Sequence, residues 1–216
     1  MKAYKPKETT AIICAAGMGT RLGIGTTKAL VDIAGTPLII RQLEMLREYE
    51  DVRIVVGFQA ERLIRVVKEY RKDVMFAFNY QYETNGVADS LRKGMLTARE
   101  YILSLDGDIL VNPEDFCKFS SIESECLGIS EIKTKDPVLA NVENGQVIKL
   151  SKNEGNMQWP GIAKIKTSNF NGSSPYVYDS INGILPLPAF VLRTREINTQ
   201  EDYDTAIEWF ENGMVD

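Results

Sequence analysis

Apolar positions in the first half of the chain alternate between two spacings. TAIICAA (10–16) is apolar on both faces, as a strand buried on both sides requires. RIVVGF (53–58), DVMFAF (73–78) and YILSLDGDIL (101–110) are three more short runs that read as strands, the last running into an acidic turn. Between them, residues 37–49 carry Ile40, Leu43 and Leu46 at helical spacing with Tyr49 next, and residues 60–70 place Leu63, Val66, Val67 and Tyr70 on one face. Residues 88–99 read as a third helix. This alternation predicts an α/β fold with a mostly parallel sheet and helices on both faces. Ligands bind beyond the carboxyl ends of such strands, where the loops 17–28, 79–90 and 106–113 should meet.

The second half has a different rhythm. Residues 125–165 hold short strand-like runs broken by turn residues, as in VENGQVIKL with its Asn144-Gly145 pair. FVLRTREI (190–197) reads as one late strand. Thr199, with Asp202 three residues on, is an N-cap for a closing helix marked by Tyr203, Ala206, Ile207 and Phe210. Glu201 and Asp202 read as first-turn acids favoured by the helix dipole. The expectation is one domain over 1–216, its halves at about 1–120 and 121–216 sharing one sheet.

Composition narrows the chemistry. The chain has 216 residues, is 44% hydrophobic and 25% charged, and carries a net charge of −5 with no polybasic block. That argues against nucleic acid or an anionic membrane as partner. Cys14, Cys117 and Cys126 are odd in number, lack metal-type spacing and read as reduced thiols of a cytoplasmic protein. The polar start MKAYKPKETT and the shortness of AIICAAG predict neither signal peptide nor membrane span. The chain has no histidine, so a histidine base, nucleophile or metal ligand is excluded.

Ala15-Ala16-Gly17-Met18-Gly19-Thr20-Arg21-Leu22-Gly23 follows the first strand. Glycines there let backbone N–H groups approach phosphates. It is not the dinucleotide fingerprint, because the third glycine falls one position late and no acidic residue ends the second strand. It is not a Walker loop, because Lys28 is flanked by Thr27 and Ala29. What remains, Gly-x-Gly-Thr-Arg with Lys28 seven residues after Arg21, puts two cations where a triphosphate could lie. A plain turn with surface cations is the alternative.

The stretch AAGMGTRLG…TKALVDIAGTPLI resembles the signature of the sugar-phosphate nucleotidyltransferase superfamily, over about residues 11–40. Thr27 departs from it, standing where proline is usual, which should loosen the loop. The resemblance implies a three-layer α/β/α fold, Rossmann-like and GT-A-like, with the backbone of Ala15, Ala16, Gly17, Met18, Gly19 and Thr20 on the nucleotide, and Lys28 and Arg21 on its phosphates. It implies magnesium (Mg2+) at Asp108, with Asp106 second by register. Arg195-Glu196-Ile197-Asn198-Thr199-Gln200-Glu201-Asp202 resembles an ending of the small cytidylyltransferase branch, which makes Glu196 and Asn198 further metal ligands. Asn198 stands where aspartate is common, so the site carries one charge less.

Tyr82-Glu83-Thr84-Asn85-Gly86-Val87-Ala88-Asp89-Ser90-Leu91 is similar to the base-reading segment of choline-phosphate and phosphonate cytidylyltransferases, which assigns Thr84, Asn85, Gly86 and Ser90 to the base. The alternative is a loop with Asp89 or Ser90 as helix N-cap. Lys152 matches a lysine that holds the acceptor phosphate. Trp159, Tyr176, Tyr178 and Asp179 lie in segments like the acceptor side of that branch, where rings and a carboxylate could cage an amine. Ordinary core aromatics are the alternative. The implied reaction is transfer of NMP, CMP from CTP, to a small phosphorylated or phosphonate acceptor with release of pyrophosphate. A sugar 1-phosphate with UTP or dTTP is the alternative, as is a silent nucleotide-binding regulator. A homodimer is compatible with the sequence.

Overall fold

Thr9–Ala15 (β1) lacks a polar face, and it lies in the interior of the sheet, parallel to Asp51–Val56 (β4) on one side and Tyr101–Asp106 (β6) on the other. The computed structural model describes residues 6–19, 22–23, 25–171 and 174–215. In chain order, the elements of the first half are β1, the short β2 (Asp32–Ile33) and β3 (Thr36–Pro37), α1 (Leu38–Met45), β4, α2 (Ala60–Tyr70), β5 (Met75–Phe78), α3 (Val87–Gly94), β6, β7 (Ile109–Val111) and α4 (Pro113–Ser120). The second half adds β8 (Cys126–Ile129), β9 (Val138–Glu143), β10 (Gln146–Ser151), β11 (Met157–Trp159), β12 (Ala163–Lys166), α5 (Val177–Asn182), β13 (Leu187–Val191), β14 (Thr194–Glu196) and α6 (Gln200–Glu211).

Both halves feed one mixed ten-stranded sheet in the order β11-β9-β10-β13-β8-β12-β6-β1-β4-β5. The quartet β6-β1-β4-β5 is parallel throughout, while β12 joins it antiparallel through β6. Side chains alternate across the strands, so Ile13, Ile54 and Val56 meet Leu43 of α1, Leu63 of α2 and Phe116 of α4 on one face. Ile12 and Val55 meet Ala88 and Leu91 of α3 and Ile181 of α5 on the other. Each such large side chain contributes about 1.5–3 kcal/mol by leaving water. The three-layer α/β/α arrangement follows from these two faces.

Local signals held at several ends. Asn144 and Gly145 take φ of 50° and 75° and turn β9 into β10, as a two-residue hairpin with two left-handed positions demands. Thr199 and Asp202 form the reciprocal capping box of α6.

Three expectations need correction. The run 190–197 is two strands: β13 pairs with β8, then the chain leaves the main sheet and β14 pairs antiparallel with β7. Arg193 causes the break, since its backbone N–H and guanidinium donate to Asp115 and its carbonyl accepts from the Asn112 N–H. The helix expected over 88–99 stops at Gly94, where Arg53 donates to the carbonyls of Gly94 and Thr97 and so satisfies the end of the helix and the turn beyond it. Its N-cap is Gly86, not Asp89 or Ser90.

Candidate active site

A cleft of about 340 Å³ opens at the carboxyl ends of β1 and β6. Ala15, Gly17, Gly19, Lys28, Val87, Asp106, Asp108, Glu196 and Asn198 line it, together with Cys14. The glycine loop builds one wall. Gly19 has φ +61°, and a Cβ there would sit 2.7 Å from Lys28 Cγ, so only glycine lets the lysine stem lie across the loop. Thr27, in the place of proline, has φ −62° and is buried, with its carbonyl accepting from Leu30 N–H. The loop therefore keeps the backbone angle that proline would impose, and the predicted loosening is not seen at this residue. Ala16 and Met18 do not line the cleft; the Ala16 carbonyl instead accepts from Phe58 N–H at 3.0 Å. Thr20 and Arg21 lie outside the described residues.

The floor is acidic. Lys28 Nζ donates to Asp108 Oδ2 at 2.6 Å and to Asn198 Oδ1 at 2.5 Å. Asn198 Nδ2 donates to Glu196 Oε1 at 2.6 Å, so the amide bridges a cation and a carboxylate. Ile197 N–H donates to the Asp108 carbonyl and fixes the 196–198 segment against the turn. Asn198 lies two residues past the end of β14, so the alternation expected along one strand is only partly regular. Gly161, at φ +80°, closes over Asp106, and a Cβ there would overlap Asp106 Oδ2.

Crowding acids at one spot disfavours their charge. Burial, then the charges of Asp108 and Glu196, push the Asp106 carboxyl well above the usual range. Burial and Asp108 likewise raise Glu196, and burial with Asp106 raises the Cys14 thiol. Among the described residues no three Asp, Glu or Cys side chains form a ready metal cage. Yet one cation, the Lys28 ammonium, already touches oxygens of both Asp108 and Asn198. Hard oxygens within reach of a single cation fit Mg2+, which is usually bound by one or two carboxylates and completed by substrate phosphates and water.

Gln42 underlies the acidic turn although no motif marks it. It is 1% exposed, and its Nε2 donates to the carbonyls of Asp106 at 2.8 Å and Ile109 at 2.9 Å. The signal was present: position 42 falls on the apolar stripe of Ile39, Leu43 and Leu46, where a polar residue needs a reason.

The base and acceptor candidates are placed unevenly. Thr84 Oγ1 and the Asn85 side chain bond Gln81, which folds the loop 81–85 on itself. Gly86 packs so tightly on Pro175 that a Cβ would overlap its carbonyl. Ser90 is buried and accepts from Asn79 Nδ2 at 2.9 Å. Tyr176 and Tyr178 stack at 5.4 Å beside the Pro175–Ala88 contact, and Asp179 accepts from Ser174 Oγ at 2.6 Å. Trp159 is not with them. It is buried in the core with its indole N–H donating to the Ile162 carbonyl, so the core alternative is the correct one for this residue. Lys152 does not line the cleft either; its ammonium is held by the carbonyl and carboxylate of Asp136.

A lysine and convergent carboxylates at the carboxyl ends of parallel strands in this fold define the nucleotidyltransferase class. Residues 11–121 match the model of the MobA-like NTP transferase domain, and the chain belongs to that family. The bifunctional protein GlmU of a Sulfurovum species is 27% identical over 128 residues, 58% of this chain and 29% of its own length. The choline-phosphate cytidylyltransferase of Streptococcus pneumoniae is 36% identical over 107 residues, 47% of this chain and 46% of that protein. The chain thus spans less than half the length of these curated relatives. Among solved structures, the CTP:phosphocholine cytidylyltransferase of S. pneumoniae superposes with a TM-score of 0.76 at 19% identity, covering 94% of this chain and 99% of that one. The inositol-1-phosphate CTP transferase of T. maritima gives 0.76 at 18%, covering 95% and 97%. These likenesses show the shared fold. No helix among the described residues is long and apolar enough to cross a membrane.

Proposed function

We propose that the protein transfers CMP from CTP to a small phosphorylated or phosphonate acceptor and releases pyrophosphate, with Mg2+ bound at Asp108 and Asn198 and aided by Glu196, and with Asp106 on the nucleotide. The observation that carries this reading is the meeting of Lys28, Asp108, Asn198 and Glu196 at the carboxyl end of β6. Bound there, the metal would neutralise phosphate charge. Lys28 and Arg21 hold the triphosphate as charge moves to the leaving pyrophosphate. The acceptor oxygen is already ionised, so no general base is needed, consistent with a chain lacking histidine. Backbone carbonyls around residues 83–86, with Ser90, read the base, and Tyr176, Tyr178 and Asp179 receive an amine on the acceptor. Lys152 would have to leave Asp136 to reach an acceptor phosphate. Three unpaired cysteines support a reducing, cytoplasmic setting.

Sugar-1-phosphate transfer with UTP or dTTP is the second reading, in line with a fold neighbour described as a putative glucose-1-phosphate thymidylyltransferase of Bacillus anthracis. A pyrophosphate-release screen of four NTPs against phosphorylated acceptors separates the two. CTP with an amine-bearing phosphate should give the highest turnover in Mg2+. Equal turnover of CTP and UTP would remove the cytidylyl reading, because a site built for the cytosine amino group leaves an acceptor unpaired against uracil.

A further inference from the structure

Two carboxylates of the cleft floor, Asp106 and Asp108, sit on the four residues Asp106 to Ile109, between the end of β6 and the start of β7. A turn carrying two acids next to a third, Glu196, is pushed apart by its own charge. Besides the Lys28 contact to the Asp108 side chain, three hydrogen-bonded fixings hold its backbone among the described residues. Gly107 N–H donates to the Cys14 carbonyl of β1 at 2.9 Å, and Ile197 N–H donates to the Asp108 carbonyl at 2.9 Å. The third comes from α1. Gln42 spends both hydrogens of one amide nitrogen on the two carbonyls that begin and end the turn, those of Asp106 and Ile109.

The two backbone fixings are available to any sequence; the Gln42 clamp depends on one side chain. Its position explains why a polar residue is tolerated on the core face of α1. The amide oxygen, Gln42 Oε1, is buried and has no hydrogen-bond partner among the described residues, so the residue is not placed there for its own satisfaction. An apolar side chain of equal size would avoid that cost. What it would lose is the link between α1 and the acidic turn. The segment Lys28–Leu30 leads through β2 and β3 into α1, so the same helix follows the cation of the site and clamps its acids.

We propose that Gln42 is the positioning residue of the acidic turn, setting the spacing of Asp106 and Asp108 that cation and nucleotide phosphates require. This rests on the nucleotidyltransferase reading of the cleft. Residues that orient a metal-binding segment from outside it typically change metal affinity or rate by about 10–100-fold when removed. Gln42→Met keeps the volume and deletes both donors. Gln42→Asn keeps the amide on a shorter stem. Leu43→Met, in the next residue of α1 and fully buried, disturbs the core while leaving the Gln42 amide in place.

The test reads Mn2+ binding by paramagnetic resonance with CTP present, kcat and KM for pyrophosphate release, and melting temperature. Gln42→Met should lose about 10-fold or more in both Mn2+ affinity and kcat, with KM for CTP within about threefold. Gln42→Asn should fall between it and wild type, and it supplies the measurement if the methionine variant is insoluble. Leu43→Met should lower the melting temperature while leaving Mn2+ affinity and kcat unchanged. If the Gln42 variants bind Mn2+ and turn over like wild type, Gln42 is structural only and the proposal falls. If wild type binds Mn2+ with CTP and Gln42→Met does not, while no acceptor yields pyrophosphate, positioning stands and the group-transfer reading fails. Wild type that binds no Mn2+ under any condition overturns both.

Discussion

Asn198→Asp introduces the aspartate that the motif resemblance implies at this position, and the structure makes its consequence depend on the metal. The present amide has two ends in use: Oδ1 accepts from Lys28 at 2.5 Å and Nδ2 donates to Glu196 at 2.6 Å. Aspartate keeps the first interaction and strengthens it. It deletes the second and sets a carboxylate against Glu196 at the same distance. The gain toward Lys28 and the new repulsion toward Glu196 have similar separations and opposite sign, so to first order they cancel. What is left is a lost hydrogen bond to a charged group, about 1.5–3 kcal/mol. For a chain of this size that lowers the melting temperature by about 3–12 °C, at roughly 2–4 °C per kcal/mol. A divalent cation reverses the balance, because it is attracted to Asp108, Glu196 and the introduced carboxylate together. At about 100 times its dissociation constant it returns roughly 2.7 kcal/mol. Thermal unfolding by fluorimetry, with and without Mg2+, reads both effects. The variant should melt lower than wild type in chelator and be raised more than wild type by Mg2+. Equal melting in chelator, or no extra rise with Mg2+, would show that Asn198 does not bridge Lys28 and Glu196 around a cation site.

Lys28→Ala should cost about 3–4 kcal/mol of transition-state stabilisation, seen as a fall in kcat for pyrophosphate release. Its ammonium is also the partner of Asp108 and lies near the raised Asp106 and Glu196 carboxyls, so the fold should lose stability too, unlike the neutral effect a surface cation would have; unchanged turnover would remove the loop from the site. Gly161→Ala forces a left-handed alanine against Asp106 Oδ2, and the displaced carboxylate should cut kcat about 100-fold with melting lowered by a few degrees. Asp115→Asn tests a structural pair: Arg193 holds the Asp115 carboxyl below the usual range, so its stabilisation is full above about pH 4 and fades as pH falls through the lowered value. Urea unfolding should show the variant about 1.5–3 kcal/mol weaker at pH 7, with the gap closing below about pH 4.

The parallel half of the fold was legible because strands buried on both faces leave a continuous apolar run, and helices between them repeat at their own period. Residues 60–70 are helical from end to end as read, and β1 differs from the prediction by one residue at each end. The break at Arg193 was not legible. FVLRTREI has the composition of one strand, and distant partners, Asp115 at 78 positions away and the Asn112 N–H, hold the chain where it turns. The early stop of α3 has the same origin, since Arg53 of β4 supplies the donors at its end and in the turn after it. Long-range hydrogen bonds to backbone leave no local pattern.

For the site, the loop and the acids were visible by type and order, whereas their neighbours had to be seen. Trp159 and Tyr176 look alike as sequence, yet one indole N–H finds the Ile162 carbonyl inside the core while the tyrosine is 55% exposed. The two departures from the family pattern are the more instructive cases. Each reads in one dimension as a loss, of ring rigidity at Thr27 and of charge at Asn198. In three dimensions Thr27 holds φ at −62° because it is buried and its carbonyl caps the turn at Lys28. Asn198 gives up a negative charge and gains a donor, and that donor quiets Glu196, whose charge burial and Asp108 already disfavour. A second carboxylate at 198 would have no such hydrogen to give. The floor of the cleft is therefore balanced around Lys28 with an amide in place, and the substitution is part of how three acids coexist beside one lysine.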